Sequence, residues 1–179
     1  RRVAAELPAG CAWPNASAPL ALVAVRGAES RESNADAASI SNEAECAALV
    51  KVVRELLATV AERDIGVITP YAAQARLIRD ALAGDVEVNT VDAYQGREKD
   101  VVLISTVRSN EKGNLGFVAD DRRLNVALTR ARRAVVVVGD PGTLASDDTW
   151  RAFVARCEED GCCVEGPSLE VATTPPPVM

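Results

Sequence analysis

The sequence predicts an α/β domain whose mainly parallel β-sheet is covered by helices on both faces. Two observations carry that expectation. The apolar segments "LALVAVRG" (20–27), "DIGVITP" (64–70) and "AVVVVGD" (134–140) lack apolar–polar alternation, as strands buried on both sides do. Between them lie stretches with apolar residues at helical spacing. A third observation points to a site. Ligands of such sheets bind beyond the carboxyl ends of the strands, and the polar motifs "TPY", "TVDAYQGRE" and "GDP" are expected there.

Taken in order, the strand at 20–27 leads into a polar loop, "AESRESNADAASIS". A helix is predicted over "NEAECAALVKVVRELLATVAE", with Asn42 as N-cap and Glu45, three residues on, completing a capping box. Cys46, Leu49, Val53, Leu56, Leu57 and Val60 share its apolar face. After the strand at 64–70, Thr69 is expected to cap the next helix and Pro70 to take its first position. That helix buries Leu77, Ile78, Ala81 and Leu82 and closes at Gly84. Strands follow at 86–93 and 99–109, then a helix over "DRRLNVALTRARR" (121–133), the strand 134–140, and a last helix over "DDTWRAFVARCEED". Residues 20–160 are expected to form the domain. Residues 1–19 read as a linker or the edge of a longer chain, and 161–179 as a disordered tail.

Composition narrows the chemistry. Histidine is absent, which excludes Ser-His-Asp triads and His-containing zinc sites. The five cysteines show no C-x-x-C spacing, so they read as reduced, incidental thiols of an intracellular protein, with no metal site. No apolar run approaches the roughly 20 residues of a membrane span, and no signal peptide is visible. Net charge is −6, which argues against nucleic acid until its distribution is considered. Residues 90–133 carry nine basic against six acidic side chains, whereas 134–179 carry two against eight. Seventeen of the twenty cations are Arg, whose planar fork suits phosphate oxygens.

On a helix turning about 100° per residue, Leu124, Ala127, Leu128 and Ala131 form one stripe of the 121–133 segment. Arg122, Arg123, Arg130 and Arg133 lie opposite. Like charges at such spacing repel, so cations without carboxylate partners point to an anion. A solvated face is the alternative. Upstream, Gly96 allows a turn or a close backbone approach, while Thr90, Gln95 and Glu98 offer groups suited to sugar and phosphate. A plain polar connection is the alternative there.

"GVITPYAAQ", "VNTVDAYQGREKDVVLIS", "GNLGF" and "RRLNVALTRAR" together resemble the second, C-terminal RecA-like domain of superfamily 1 helicases, in the branch of the up-frameshift RNA helicase and senataxin. The likeness covers roughly residues 20 to 145 in matching order and spacing. It implies a three-layer RecA-like fold in an enzyme that couples ATP hydrolysis to movement on single-stranded RNA or DNA. By the same resemblance Arg130 is the arginine finger to the γ-phosphate. Glu98, with Gln95 and Gly96 beside it, binds the nucleotide. Thr69 and Thr90 contact nucleic acid through their backbone, with Tyr71 a further contact.

No G-x-x-x-x-G-K-[ST] loop occurs, nor a paired-acid magnesium motif where the family has one. The resemblance therefore implies half a catalytic site. ATP and Mg2+ would be held mostly by a first RecA-like domain of the same full-length chain, and the segment alone would be inactive. A non-catalytic α/β module binding nucleic acid or partners is the competing reading.

Overall fold

The computed structural model describes residue 7 and residues 13–32, 39–166 and 169. Its centre is a six-stranded, wholly parallel sheet in the order β5-β4-β6-β7-β1-β8. The strands are β1 (Leu20–Ala24), β4 (Ile65–Thr69), β5 (Glu87–Thr90), β6 (Lys99–Ser105), β7 (Ala131–Gly139) and β8 (Cys163–Glu165). The helices are α1 (Glu43–Leu56), α2 (Ala72–Leu82), α3 (Asp121–Leu128), α4 (Pro141–Leu144) and α5 (Asp148–Glu159).

The unalternating apolar runs explain the three layers. Along β7, Ala134, Val136 and Val138 join the core shared with α1 and α2. Val135 and Val137 join the opposite core with Leu124 and Ala127 of α3 and Trp150, Val154 and Cys157 of α5. Strand side chains alternate between faces, so burial of both faces requires apolar residues at every position. The architecture is the RecA-like three-layer fold the sequence led us to expect.

Several elements differ from that expectation. The polar loop after β1 contains a small antiparallel ladder, β2 (Glu29–Arg31) with β3 (Ile40–Asn42), pinned by the buried Ile40. Helix α2 begins at Ala72, with Tyr71 rather than Thr69 at its N-cap. Thr69 is still paired as the last residue of β4, and the Ala73 N–H is satisfied by the Ser39 hydroxyl at 2.8 Å, a cap supplied from a distant loop. The arginine helix stops at Leu128, and β7 already begins at Ala131, opposite Lys99 of β6. Pairing with β6 thus takes over from helix propagation, and residues 129–133 do not extend the helical stripe. Strand β8 pairs with β1 and adds an edge beyond residue 160. Residues 167, 168 and 170–179 of the expected tail, and 1–6 and 8–12 of the expected linker, lie outside the described residues.

The link from β5 to β6 takes only residues 91–98, yet returns the chain from the carboxyl to the amino end of the sheet. Tyr94 is fully buried in this link, and a Cβ on Gly66 would collide with its hydroxyl. Gly66 is thus required by the crossing.

Candidate functional site

Parallel strands give the sheet two unlike edges. The expected nucleotide residues lie at the amino edge, where β6 and β7 begin. Gly96 turns there with φ +78, in the left-handed region that favours glycine. Gln95, Gly96 and Glu98 are exposed, and among the described residues the Gln95 and Glu98 side chains have no hydrogen bond or ion pair. Arg130 is brought beside them because its carbonyl accepts the Lys99 N–H at 3.0 Å. "QGRE" was expected at the carboxyl ends with the other motifs. The rapid return through Tyr94 places it at the opposite edge.

The arginines of residues 121–133 are not a face of unpaired cations, contrary to the helical-stripe expectation. Arg132 pairs with Asp100 at 2.9 Å, and Arg133 meets the same carboxylate at 3.6 Å. Arg123 pairs with Asp92 at 3.1 Å. Nearby, Lys99 and Arg97 share Glu87. Arg130 differs. Its Nε donates to the Val126 carbonyl at 3.0 Å and its terminal nitrogen to the Thr129 hydroxyl at 3.1 Å, both neutral acceptors. Among the described residues, Arg130 and Arg122 are the arginines of this run without a carboxylate partner. Partial charges on a carbonyl and a hydroxyl cannot neutralise a guanidinium, so Arg130 remains electrostatically open to an anion.

The carboxyl edge holds Thr69, Tyr71 and Thr90. Thr90 is half-buried. Thr69 is fully buried; its carbonyl accepts the Val91 N–H at 3.2 Å and its hydroxyl has no partner among the described residues. Tyr71 is buried too, its hydroxyl donating to the Leu115 carbonyl at 3.4 Å and accepting from Arg108 at 3.3 Å.

Beside them stands a polar network that a strand running over 99–109 would not form. β6 ends at Ser105, and Thr106 to Asn110 turn away through Val107, a β-branched residue held at φ 72. That strained conformation is locked from both sides. The Val107 N–H donates to Glu45 at 2.7 Å and its carbonyl accepts from Asn42 at 3.1 Å. Glu45 also accepts from the Ser105 hydroxyl at 2.7 Å and the Thr106 hydroxyl at 3.4 Å. The capping box is therefore half formed: Asn42 accepts the Glu45 N–H, but Gln74 supplies the return bond to the Asn42 N–H. Complete burial pushes the Glu45 carboxyl up to about 8, against its three hydrogen bonds and helped by nearby Asp140. Glu29 behaves oppositely. Burial opposes its charge, but hydrogen bonds from Arg108, Asn110 and Ser109 outweigh that and lower its pKa. In the Arg108–Glu29 pair, at 2.9 Å, Arg108 is buried and Glu29 nearly so.

A signal for Glu45 existed. It shares a helical face with Leu49, Val52 and Leu56, an odd place for a carboxylate with no tertiary partner.

Comparison with known proteins adds the relationship. The AAA domain family profile matches residues 2–142. The chain is 40% identical over 166 residues to a "Regulator of nonsense transcripts 1 homolog" of Neurospora crassa, covering 87% of this chain and 15% of that protein. It is 41% identical over 165 residues to the "ATP-dependent helicase upf1" of Schizosaccharomyces pombe, covering 86% and 18%. It is 44% identical over 154 residues to the "DNA polymerase alpha-associated DNA helicase A" of Saccharomyces cerevisiae, covering 79% and 22%. The chain thus spans between 15% and 22% of the length of these three relatives.

Proposed function

Because this chain belongs to the AAA domain family and is an up-frameshift-like superfamily 1 helicase domain, we propose that it is the C-terminal RecA-like domain of an intracellular ATP-dependent helicase acting on single-stranded RNA or DNA. The observation that carries the proposal is Arg130. It is an arginine at the amino edge, beside the unpaired Gln95 and Glu98, whose contacts are all with neutral groups.

Bound nucleotide and its magnesium would supply the phosphoanhydride whose hydrolysis drives the enzyme. The sequence holds no G-x-x-x-x-G-K-[ST] loop to cradle the phosphates, so we assign the metal and most nucleotide contacts to a first RecA-like domain. From this chain, Glu98 and Gln95 would hydrogen-bond the nucleotide sugar, and the turn at Gly96 would let the backbone approach it. Arg130 would leave Val126 and Thr129 and place its guanidinium against the γ-phosphate, where charge grows in the transition state. At the opposite edge, the half-buried Thr90 would contact the strand through its backbone, while the buried Thr69 and Tyr71 would shape that groove from behind. Such contacts to phosphate and sugar carry no base sequence. Domain closure would bring both edges into play at once.

In the full-length enzyme, Arg130→Ala should lower kcat by about 10³–10⁵. Nucleotide affinity should change far less, because the other domain supplies most ground-state binding. Arg130→Lys should rescue little. A kcat within about threefold of wild type for Arg130→Ala would end the assignment. ATP hydrolysis by this chain alone that Arg130→Ala abolishes would end the division of the site between two domains.

A further inference from the structure

The chain has two phenylalanines. Phe153 packs edge-on against Trp150, with ring centroids 5.5 Å apart. Phe117 is 49% exposed, the large apolar side chain left open among the described residues. A single exposed ring needs no explanation in general. This one is held in place by a built support.

Gly116 precedes it at φ +53, and a Cβ there would lie 2.6 Å from an Arg108 nitrogen and 2.9 Å from the Tyr71 hydroxyl. Arg108 and Tyr71, both buried, therefore back the turn directly. Asn110 and Asn114 brace the approach: the Asn114 N–H donates to the Asn110 side chain at 2.9 Å, and the Asn110 amide returns to the Asn114 carbonyl at 3.0 Å. The ring leans on Tyr71 with centroids 5.7 Å apart and carries the Arg123 guanidinium over it at 5.1 Å. It rims a small apolar cleft with Pro70, Val91, Ile104 and Ala127. Pro70 and Val91 directly follow Thr69 and Thr90, the two expected backbone contacts to nucleic acid.

Charge complements the ring. Arg122 is exposed and has no carboxylate partner among the described residues. The acids on Arg123 are the exposed Asp92 and Asp120, and surface pairs of that kind exchange readily for a phosphate. A half-open aromatic ring flanked by arginines at a strand-end edge is the chemistry that binds unpaired bases.

We propose that Phe117 is a stacking platform for one base of a single-stranded nucleic acid, the Arg123 guanidinium leaving the ring face to join Arg122 on the adjacent phosphates. The proposal rests on the reading that this chain binds single strands. It adds a contact to the base itself, indifferent to which base is present because every base offers a π-face.

The test uses this chain and fluorescein-labelled oligo-dT and oligo-U of about twelve nucleotides, within the usual site size. An abasic deoxyribose-phosphate strand of equal length serves as the comparison, with affinity read by anisotropy at low salt. Phe117→Ala should weaken binding of the base-bearing strands by between about fivefold and about a hundredfold. The abasic strand should stay within about twofold. Phe117→Leu should not rescue binding, whereas Phe117→Trp should retain it and show indole fluorescence quenched on binding. Arg122→Ala should weaken both kinds of strand alike and make the salt dependence shallower.

Equal losses on base-bearing and abasic strands, or wild-type affinity in Phe117→Leu, would overturn the proposal and assign the ring to covering Tyr71 or meeting a protein partner. Wild-type binding of oligo-dT and oligo-U that Phe117→Ala leaves unchanged would overturn the platform alone. Absence of any single-strand binding by the wild-type chain would overturn the proposal together with the reading beneath it. Urea melts of each variant separate loss of fold from loss of contact.

Discussion

The two edges of the sheet contain similar residues in unlike states. At the amino edge, Glu98 and Gln95 stand unpaired, Arg130 rests on neutral oxygens, and the ion pairs of Arg97 and Arg132 are well exposed. At the carboxyl edge, Glu45, Arg108 and Asp140 are buried and Glu29 is nearly so, and each of these four charged side chains is answered by another group within the chain. A buried charge without a partner costs several kcal/mol, so these buried side chains have to be answered within the chain. An exposed charge is solvated whether or not it has a partner, so the amino edge can keep a cation free for something outside the chain. Internal completeness holds a loop in place, and incompleteness leaves a group free to act. Arg108 and Arg130 are one residue type in these two conditions.

The sharpest test of that contrast is to remove each arginine. Arg108→Met should cost about 1.5–3 kcal/mol in urea unfolding, because Glu29 loses a charge-assisted hydrogen bond. Adding Glu29→Gln should recover much of the loss. Arg130→Ala should stay within about 0.5 kcal/mol of wild type in the same assay. Comparable losses from the two arginines would erase the distinction between the edges.

Glu45 gives the next largest effect, through pH. Its pKa rises from 4.5 to about 8 on folding, so between those values the folded chain keeps a proton that the unfolded chain has released. The stabilising contribution is complete below 4.5 and is lost as pH climbs to about 8. Unfolding free energy should therefore fall across that window by a few kcal/mol at most. Glu45→Gln, which copies the protonated form, should flatten the profile. A profile with the same slope in the variant would show that another group titrates.

The smallest effect belongs to the amino-edge ion pairs. Arg132→Ala breaks the exposed pair with Asp100 and should cost no more than about 1 kcal/mol, falling further in high salt. A larger loss would mean that the amino edge is as tightly built as the carboxyl edge.

Much of the sheet could be read in advance from β1, β4 and β7, because runs such as "AVVVV" fit one environment, a strand covered on both faces. The N-cap at Asn42 follows from local chemistry, its side chain accepting from the first turn it precedes. Local reasoning failed where a partner came from far along the chain. The cap of α2 came from Ser39, and the end of α3 was set by pairing of Ala131 with Lys99. The carboxylates answering Arg123, Arg132 and Arg133 were likewise out of sight, since Asp92 and Asp100 lie about thirty residues upstream.

The sequence by itself determined the α/β class, the arrangement of helices on both faces and the motifs that relate this chain to superfamily 1 helicases. Hydrophobic periodicity and motif spacing are properties of short segments and survive without a fold. Tertiary structure alone decided that Glu98 and Arg130 share one edge while Thr69 and Thr90 share the other, because the chain crosses the sheet within residues 91–98. It alone decided which arginines of residues 121–133 are left without a carboxylate partner. Charge pairing depends on distances of about 3–4 Å between groups remote in sequence, and only the packed sheet sets those distances.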